Sequence, residues 1–226
     1  MPGPELPSWW LQQGRGVAVV ALWLGALATG ALLIRHRWPE AAEWSRKLVH
    51  IGGGAVVPLA WSLGIDRWVA LPAAAMITLL ATLNHRLRLL AAIEDVGRRS
   101  YGTVAYGASI TLLLGLFWPW RADAVCAGVL VMAVGDGLAG LVGPQLASAS
   151  WQVLGERRSL AGTLTMALAS LMSLQAVAAA AGSSAPAPLL LLAIALGATG
   201  LEQIALLGLD NLTVPLAVAL AWTWLS

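Results

Sequence analysis

The stretch Met132-Ala133-Val134-Gly135-Asp136-Gly137-Leu138-Ala139-Gly140-Leu141-Val142-Gly143 places one carboxylate inside an apolar, glycine-rich run. An ionised Asp at membrane depth costs about 2.5 kcal/mol or more, so such a residue marks a functional site by default. Gly140 and Gly143 lie near the helical face of Asp136, because residues three, four and seven apart stack on one side. Small residues there leave room for a neighbouring helix or a ligand. The stretch therefore predicts a membrane helix that carries a functional carboxylate.

The composition agrees with a membrane protein. Of the 226 residues, 59% are hydrophobic and 11% are charged, and the mean hydropathy is +0.78. These values exclude an ordinary soluble domain. Since most of the chain is needed for spans of roughly 20 residues each, we expect residues 1–226 to form a single integral membrane domain. The lone cysteine, Cys126, excludes an internal disulfide and a CxxC metal site.

The apolar runs predict an all-α, polytopic helical membrane protein with about eight transmembrane helices. The runs are 16–34, 48–64, 67–83, 103–118, 122–142, 159–181, 189–207 and 212–225. Gly52-Gly53-Gly54 and Pro58 interrupt the second run, and residues 84–100 show the spacing of an interfacial amphipathic helix. The last run is short and contains Pro215, so seven spans plus a re-entrant segment is the alternative.

The basic residues predict the orientation. With eight spans and both termini outside, ten of the thirteen Lys and Arg residues fall on three cytoplasmic loops, as the positive-inside rule requires. The ten are Arg35, Arg37, Arg46, Lys47, Arg86, Arg88, Arg98, Arg99, Arg157 and Arg158.

The polar residues that stand out all map to this predicted cytoplasmic side. They are Arg46, Lys47, His50, Asp136, Arg157, Arg158, Ser159, Thr163, Glu202, Asp210 and Asn211. Carboxylates hold Mg²⁺, and basic side chains neutralise phosphates. The helix that opens at Ser159 is expected to offer free backbone N–H donors. The set predicts a site for a phosphate-bearing ligand with a divalent metal.

Four stretches in this order resemble the phytol kinase and dolichol kinase family of polytopic polyprenol kinases, and the phytol kinase branch most closely. They are 45–54 (SRKLVHIGGG), 135–143 (GDGLAGLVG), 158–164 (RSLAGTL) and 210–216 (DNLTVPL), with Glu202 upstream of the last. The segment 99–107 resembles a further loop of the phytol kinase branch. The likeness covers residues 44–220 as a kinase-like region, and residues 1–43 form an N-terminal tail plus the first helix outside it.

The resemblance implies transfer of the terminal phosphate of CTP, or of ATP, to an isoprenoid alcohol with Mg²⁺. We expect Asp136 and Asp210 to hold the metal, and Asp210, Glu202 or His50 to accept the proton. The expected nucleotide-binding residues are Arg46, Lys47, Gly135, Gly140, Gly143, Arg157, Arg158, Ser159, Gly162, Thr163 and Asn211. Arg158 stands where the family commonly has lysine. The expected partners are phytol, geranylgeraniol, farnesol or a longer polyprenol, a nucleoside triphosphate and the bilayer, with no nucleic acid.

Two other functions fit parts of the pattern. A CTP-dependent cytidylyltransferase would release pyrophosphate and a CDP-lipid, but the Asp-rich signature of such enzymes is not visible. A small ion or solute transporter would use Asp136 and Glu202 to bind its cargo. Transporters built from repeats show two similar halves with paired broken helices, and the sequence shows no such halves.

Overall fold

A computed structural model describes residues 6–87 and 101–226 of the chain. Within those residues the chain forms ten α-helices and one β-hairpin. The helices are α1 Leu6–Arg37, α2 Ala42–Gly54, α3 Val56–Ser62, α4 Arg67–Leu87, α5 Gly102–Phe117, α6 Ala122–Leu130, α7 Gly137–Gln145, α8 Leu160–Ala181, α9 Pro188–Ile204 and α10 Asp210–Leu225. Most of the predicted amphipathic helix, with Arg98 and Arg99, lies outside the described residues.

The all-α membrane class predicted from the apolar runs is confirmed. Four helical segments are long and apolar enough to cross a membrane, namely Ser8–Arg37, Arg67–Leu87, Ala122–Gln145 and Leu160–Ser184. Gly102–Phe117 and Pro188–Ile204 are shorter apolar helices. The second predicted run is split beside its glycine triplet, because α2 ends at Gly54 and α3 begins at Val56.

The helix that carries Asp136 is central and irregular. Residues 122–129 of α6 are all buried, and α3, α5, α8 and α10 pack around them. Between α6 and α7 the chain forms a π-helical segment, Val131–Asp136, that ends on the carboxylate. Such segments are rare and occur frequently at functional sites. Gly128 admits α10, because a Cβ at this position would collide with the carbonyl oxygen of Pro215.

A short β-hairpin replaces part of the loop expected between residues 143 and 158. Strand β1, Ser150–Val153, pairs antiparallel with β2, Glu156–Ser159. The connecting residues Leu154 and Gly155 have φ of 52° and 87°, as a two-residue hairpin turn requires. The strands are too short to show a period-2 pattern, and Leu-Gly is not a strong turn signal, so the sequence did not predict them.

The end of the bundle away from Asp136 is tied by a buried carboxylate. Asp123 accepts a hydrogen bond of 2.7 Å from the indole nitrogen of Trp222, and its other partner is Arg121, 3.1 Å away. Trp222 is fully buried. We call this the far end, and the end that carries Asp136 the polar end.

We expect Trp222→Phe to lower the free energy of unfolding by about 1–3 kcal/mol, because the buried carboxylate of Asp123 then loses a donor. Thermal unfolding of the detergent-solubilised protein measures the effect. Trp224→Phe is the matched control, since Trp224 lies in the same helix and is 85% exposed. Equal losses of stability in the two variants would contradict this role of the indole N–H.

Candidate active site

Asp136 is held by two side chains of α2. The Lys47 ammonium lies 2.8 Å from Asp136 Oδ2 and also donates to the Asp136 backbone carbonyl at 3.1 Å. His50 Nε2 lies 3.3 Å from the same Oδ2. Lys47 and His50 are three residues apart, so they project from one face of α2. The sequence prediction that these residues belong to one site is consistent with this geometry.

Gly140 makes the Lys47–Asp136 ion pair possible. A Cβ on residue 140 would lie 2.5 Å from Lys47 Cε and 2.6 Å from Lys47 Nζ. Any larger residue would therefore occupy the volume that the lysine uses to reach the carboxylate. Gly140 was expected to contact nucleotide, whereas here it contacts the lysine side chain.

Gly135 and Gly143, which were also expected to bind nucleotide, lie against the chain at α8. A Cβ on Gly135 would lie 2.7 Å from Met166 Sδ and 2.9 Å from Ser170 Oγ of α8. A Cβ on Gly143 would lie 3.3 Å from Gly162 Cα, so these two glycines face each other where α7 crosses α8. The glycines let α7 approach α8 closely, as small residues do in membrane helix pairs.

Three carboxylates from distant parts of the chain meet at the polar end. One oxygen from each of Asp136, Glu202 and Asp210 lies within 4.8 Å of the others. Glu202 is buried near the end of α9, and Asp210 begins α10. The sequence placed all three on one side of the membrane, and the fold brings them together.

Surrounding side chains fix Glu202 more firmly than Asp210. Arg158 forms an ion pair with Glu202 and also donates to the Glu202 and Ala205 backbone carbonyls at 2.8 and 3.2 Å. Gln203 Nε2 donates to Glu202 at 2.9 Å and to Thr163 Oγ1 at 3.2 Å. Asp210, by contrast, accepts a hydrogen bond from the backbone N–H of Asn211 at 3.0 Å.

The cluster fits a divalent cation of the Mg²⁺ type. Its donors are carboxylate oxygens, which are the protein ligands that Mg²⁺ prefers. Lys47 and Arg158 neutralise two of the three negative charges. The side-chain oxygen of Asn211, the residue after Asp210, is buried and has no hydrogen-bond partner among the described residues.

His50 can be assigned a tautomer. Its Nε2 faces two atoms that only accept hydrogen bonds, the Asp136 carboxylate at 3.3 Å and the Met132 carbonyl at 3.4 Å. Nε2 therefore carries the proton, which leaves Nδ1 of the neutral ring as an acceptor. Tyr106 stacks on the ring at 4.6 Å and donates to the His50 carbonyl at 3.2 Å, so the histidine is fixed from both sides.

The expectation of free backbone donors at the start of α8 is wrong. The N–H of Leu160 donates to the Ala149 carbonyl at 2.8 Å, and that of Ala161 donates to Ser148 Oγ at 3.2 Å. Ser159 caps the helix by accepting from the N–H of Gly162 at 3.2 Å. Two residues just before the hairpin and the cap residue thus accept from the donors that a phosphate would need.

Two of the expected phosphate ligands, Arg46 and Arg157, pair with residues outside the acidic cluster. Arg46 pairs with Glu43 at 2.5 Å, and both side chains are more than a third exposed. Arg157 is exposed and donates to Ser150 Oγ at 3.3 Å. Lys47 and Arg158 are the expected cations that contact the acidic cluster directly.

Sequence reasoning missed two residues of the site. Gln203 follows Glu202 and has a buried side-chain oxygen with no partner among the described residues. The available signal in the sequence was a Gln next to a Glu within an apolar run. Tyr106 was noted in a motif but was given no role, because nothing in the sequence places it against His50.

One curated protein is similar to this chain over nearly its whole length. It is a phytol kinase of Synechocystis sp. (strain ATCC 27184 / PCC 6803 / Kazusa), 42% identical over 220 residues that cover 96% of this chain and 92% of that protein. No protein-family model matches the chain, and no solved structure matches it.

Gly140→Ala should expose Lys47 to an amine-reactive reagent, because the added methyl group displaces the side chain from Asp136. Lys47 is the only lysine in the sequence, so mass spectrometry of its peptide reads the modification directly. Gly197→Ala is the matched control, since a Cβ there meets nothing within 4 Å. A wild-type Lys47 that reacts as fast as in denatured protein would contradict the buried ion pair.

Proposed function

The chain belongs to the phytol kinase family, and we propose that it transfers the terminal phosphate of CTP, or of ATP, to phytol, geranylgeraniol, farnesol or a longer polyprenol. Family membership makes it a membrane phosphotransferase that acts on the hydroxyl group of an isoprenoid alcohol. It also favours an enzyme over the transporter that the sequence left open. The name of the relative supports phytol as the first alcohol to test.

The acidic cluster is the observation that carries this proposal. Asp136 and Asp210, joined by Glu202, would hold Mg²⁺ through their carboxylate oxygens. When bound, Mg²⁺ supplies positive charge that offsets the negative charge of the nucleotide phosphates. A kinase needs such a site beside its basic residues, because phosphoryl transfer depends mainly on positioning and on charge stabilisation.

Lys47 and Arg158 are the cations proposed to contact the phosphates. Each is buried or partly buried and is already oriented by a carboxylate, Lys47 by Asp136 and Arg158 by Glu202. Cations fixed before the substrate arrives stabilise charge without reorganising during the reaction. Arg46, Ser159, Thr163 and Asn211 are the remaining polar candidates for contact with the nucleotide.

We assign proton acceptance to His50 Nδ1 in preference to Asp210 and Glu202. The alcohol oxygen forms a bond to the terminal phosphorus, the bond from that phosphorus to the bridging oxygen breaks, and a nucleoside diphosphate leaves. The hydroxyl proton moves to Nδ1, and the nearby Asp136 stabilises the positive ring that results. Asp210 and Glu202 are proposed instead as ligands of the cation.

The positive-inside rule supports a cytoplasmic location for the site and both termini outside. The nucleotide would then arrive from the aqueous side, while the alcohol enters from the bilayer. Glycosylation sites or cysteines introduced at the far end and at the hairpin would report the two sides directly.

Purified wild-type protein with labelled CTP or ATP and a panel of alcohols should yield a phosphorylated lipid, and Asp136→Asn should abolish the transfer. The variant loses a charged oxygen ligand and the partner of Lys47 and His50. Glu40→Gln, an exposed change outside the cluster, serves as control. Full activity of Asp136→Asn would refute the site, and a CDP-lipid product would favour the cytidylyltransferase.

His50→Gln should lower kcat by about 10²–10⁴-fold and leave the protein folded. The glutamine amide can replace the Nε2–H donor toward Asp136 but offers no basic nitrogen at the position of Nδ1. Steady-state kinetics and the thermal unfolding temperature are measured together. A kcat within a few-fold of wild type would return the role of base to Asp210 or Glu202.

A further inference from the structure

The two faces of the β-hairpin differ in what they contact. In the antiparallel register Trp151 is opposite Arg158, and Gln152 is opposite Arg157. Residues directly opposite each other share one face of the ribbon, so Trp151 and Arg158 lie on one face and Arg157 lies on the other.

The face of Arg158 is turned toward the acidic cluster. Arg158 pairs with Glu202 and donates to two carbonyl groups at the end of α9. These three contacts fix the hairpin relative to the carboxylates. Directly opposite residues in such a pair have Cβ atoms roughly 4.5–5.5 Å apart. The Cβ atom of Trp151 therefore lies one strand spacing from that of Arg158, the arginine that is proposed to bind phosphate.

Trp151 has an accessible ring on this face. It is 38% exposed, whereas Arg158 beside it is largely covered. The short turn at Leu154 and Gly155 fixes the register, so the tryptophan cannot exchange faces with Gln152 without breaking the strand pairing. The hairpin therefore presents an aromatic surface beside the cation that lies at the acidic cluster.

We propose that Trp151 is the stacking platform for the base of the nucleotide that donates the phosphate. This inference rests on the proposed kinase function and adds the residue that distinguishes a nucleotide from a bare polyphosphate. Every nucleobase has a flat π face that stacks on an aromatic side chain. Phosphates at Arg158 and Lys47 would leave the nucleoside on the hairpin side, where Trp151 lies.

The competing role for Trp151 is that of an interfacial anchor in the bilayer, as tryptophans at span ends often are. Trp38 provides the matched control because it is 56% exposed and lies between α1 and α2. If Trp151 were only a bilayer anchor, its removal would not change the KM for the nucleotide more than the KM for the alcohol.

The test compares Trp151→Ala, Trp151→Phe and Trp38→Ala in the 226-residue protein, with KM measured for CTP, for ATP and for the alcohol. Trp151→Ala should raise the KM for the nucleotide about 10-fold or more, the range expected for loss of a stacked base. Trp151→Phe should recover most of that loss, and the KM for the alcohol should not change.

Inhibition by inorganic triphosphate, which has phosphates but no base, separates stacking from damage to the site. The inhibition should be equally strong in wild type and in Trp151→Ala. An unchanged nucleotide KM, or a parallel loss of triphosphate inhibition, would overturn the platform. A wild-type protein that phosphorylates no alcohol with either nucleotide would instead overturn the proposed function, and that result is obtained before any variant is made.

Discussion

The buried ion pair between Lys47 and Asp136 is the interaction on which the polar end depends. A charged group inside a membrane protein persists only where a partner offsets the loss of water. Here the partner is the single lysine of the chain, and it reaches Asp136 across the bare backbone of Gly140. The pair joins α2 to the central helix, so it determines where His50 and the rest of the site lie.

The need to bring partners close to the buried carboxylate of Asp136 also explains why the helix around it is irregular. The π-helical segment ends on the carboxylate, and the glycines on both sides admit α8 at Gly135 and α2 at Gly137. A regular helix with larger side chains would keep these neighbours further apart. Close approach of α2 is what places Lys47 and His50 against Asp136.

The sequence predicted the helices well because bilayer burial enforces long apolar runs, and each of the eight runs corresponds to helical structure. It also indicated that Asp136 needs a purpose and grouped Glu202 and Asp210 with it, and these three carboxylates meet in the structure. It assigned the glycines to nucleotide binding, since a small residue that admits a ligand looks the same as one that admits a helix. The hairpin was not predicted because four-residue strands carry little pattern. Ser148 and Ala149, just before it, accept from the helix donors that phosphate was expected to find.

Because those backbone N–H groups already have acceptors, contacts to a phosphate would have to come from side chains. With the start of α8 satisfied internally, the proposed anion recognition would depend on Lys47 and Arg158, and both are held by carboxylates of the cluster. Three carboxylates against two cations leave the cluster with excess negative charge, which favours a divalent cation. A cluster of this kind binds phosphates only together with such an ion, because the carboxylates alone repel them. The charge balance of the described residues therefore supports the proposed dependence on a divalent cation.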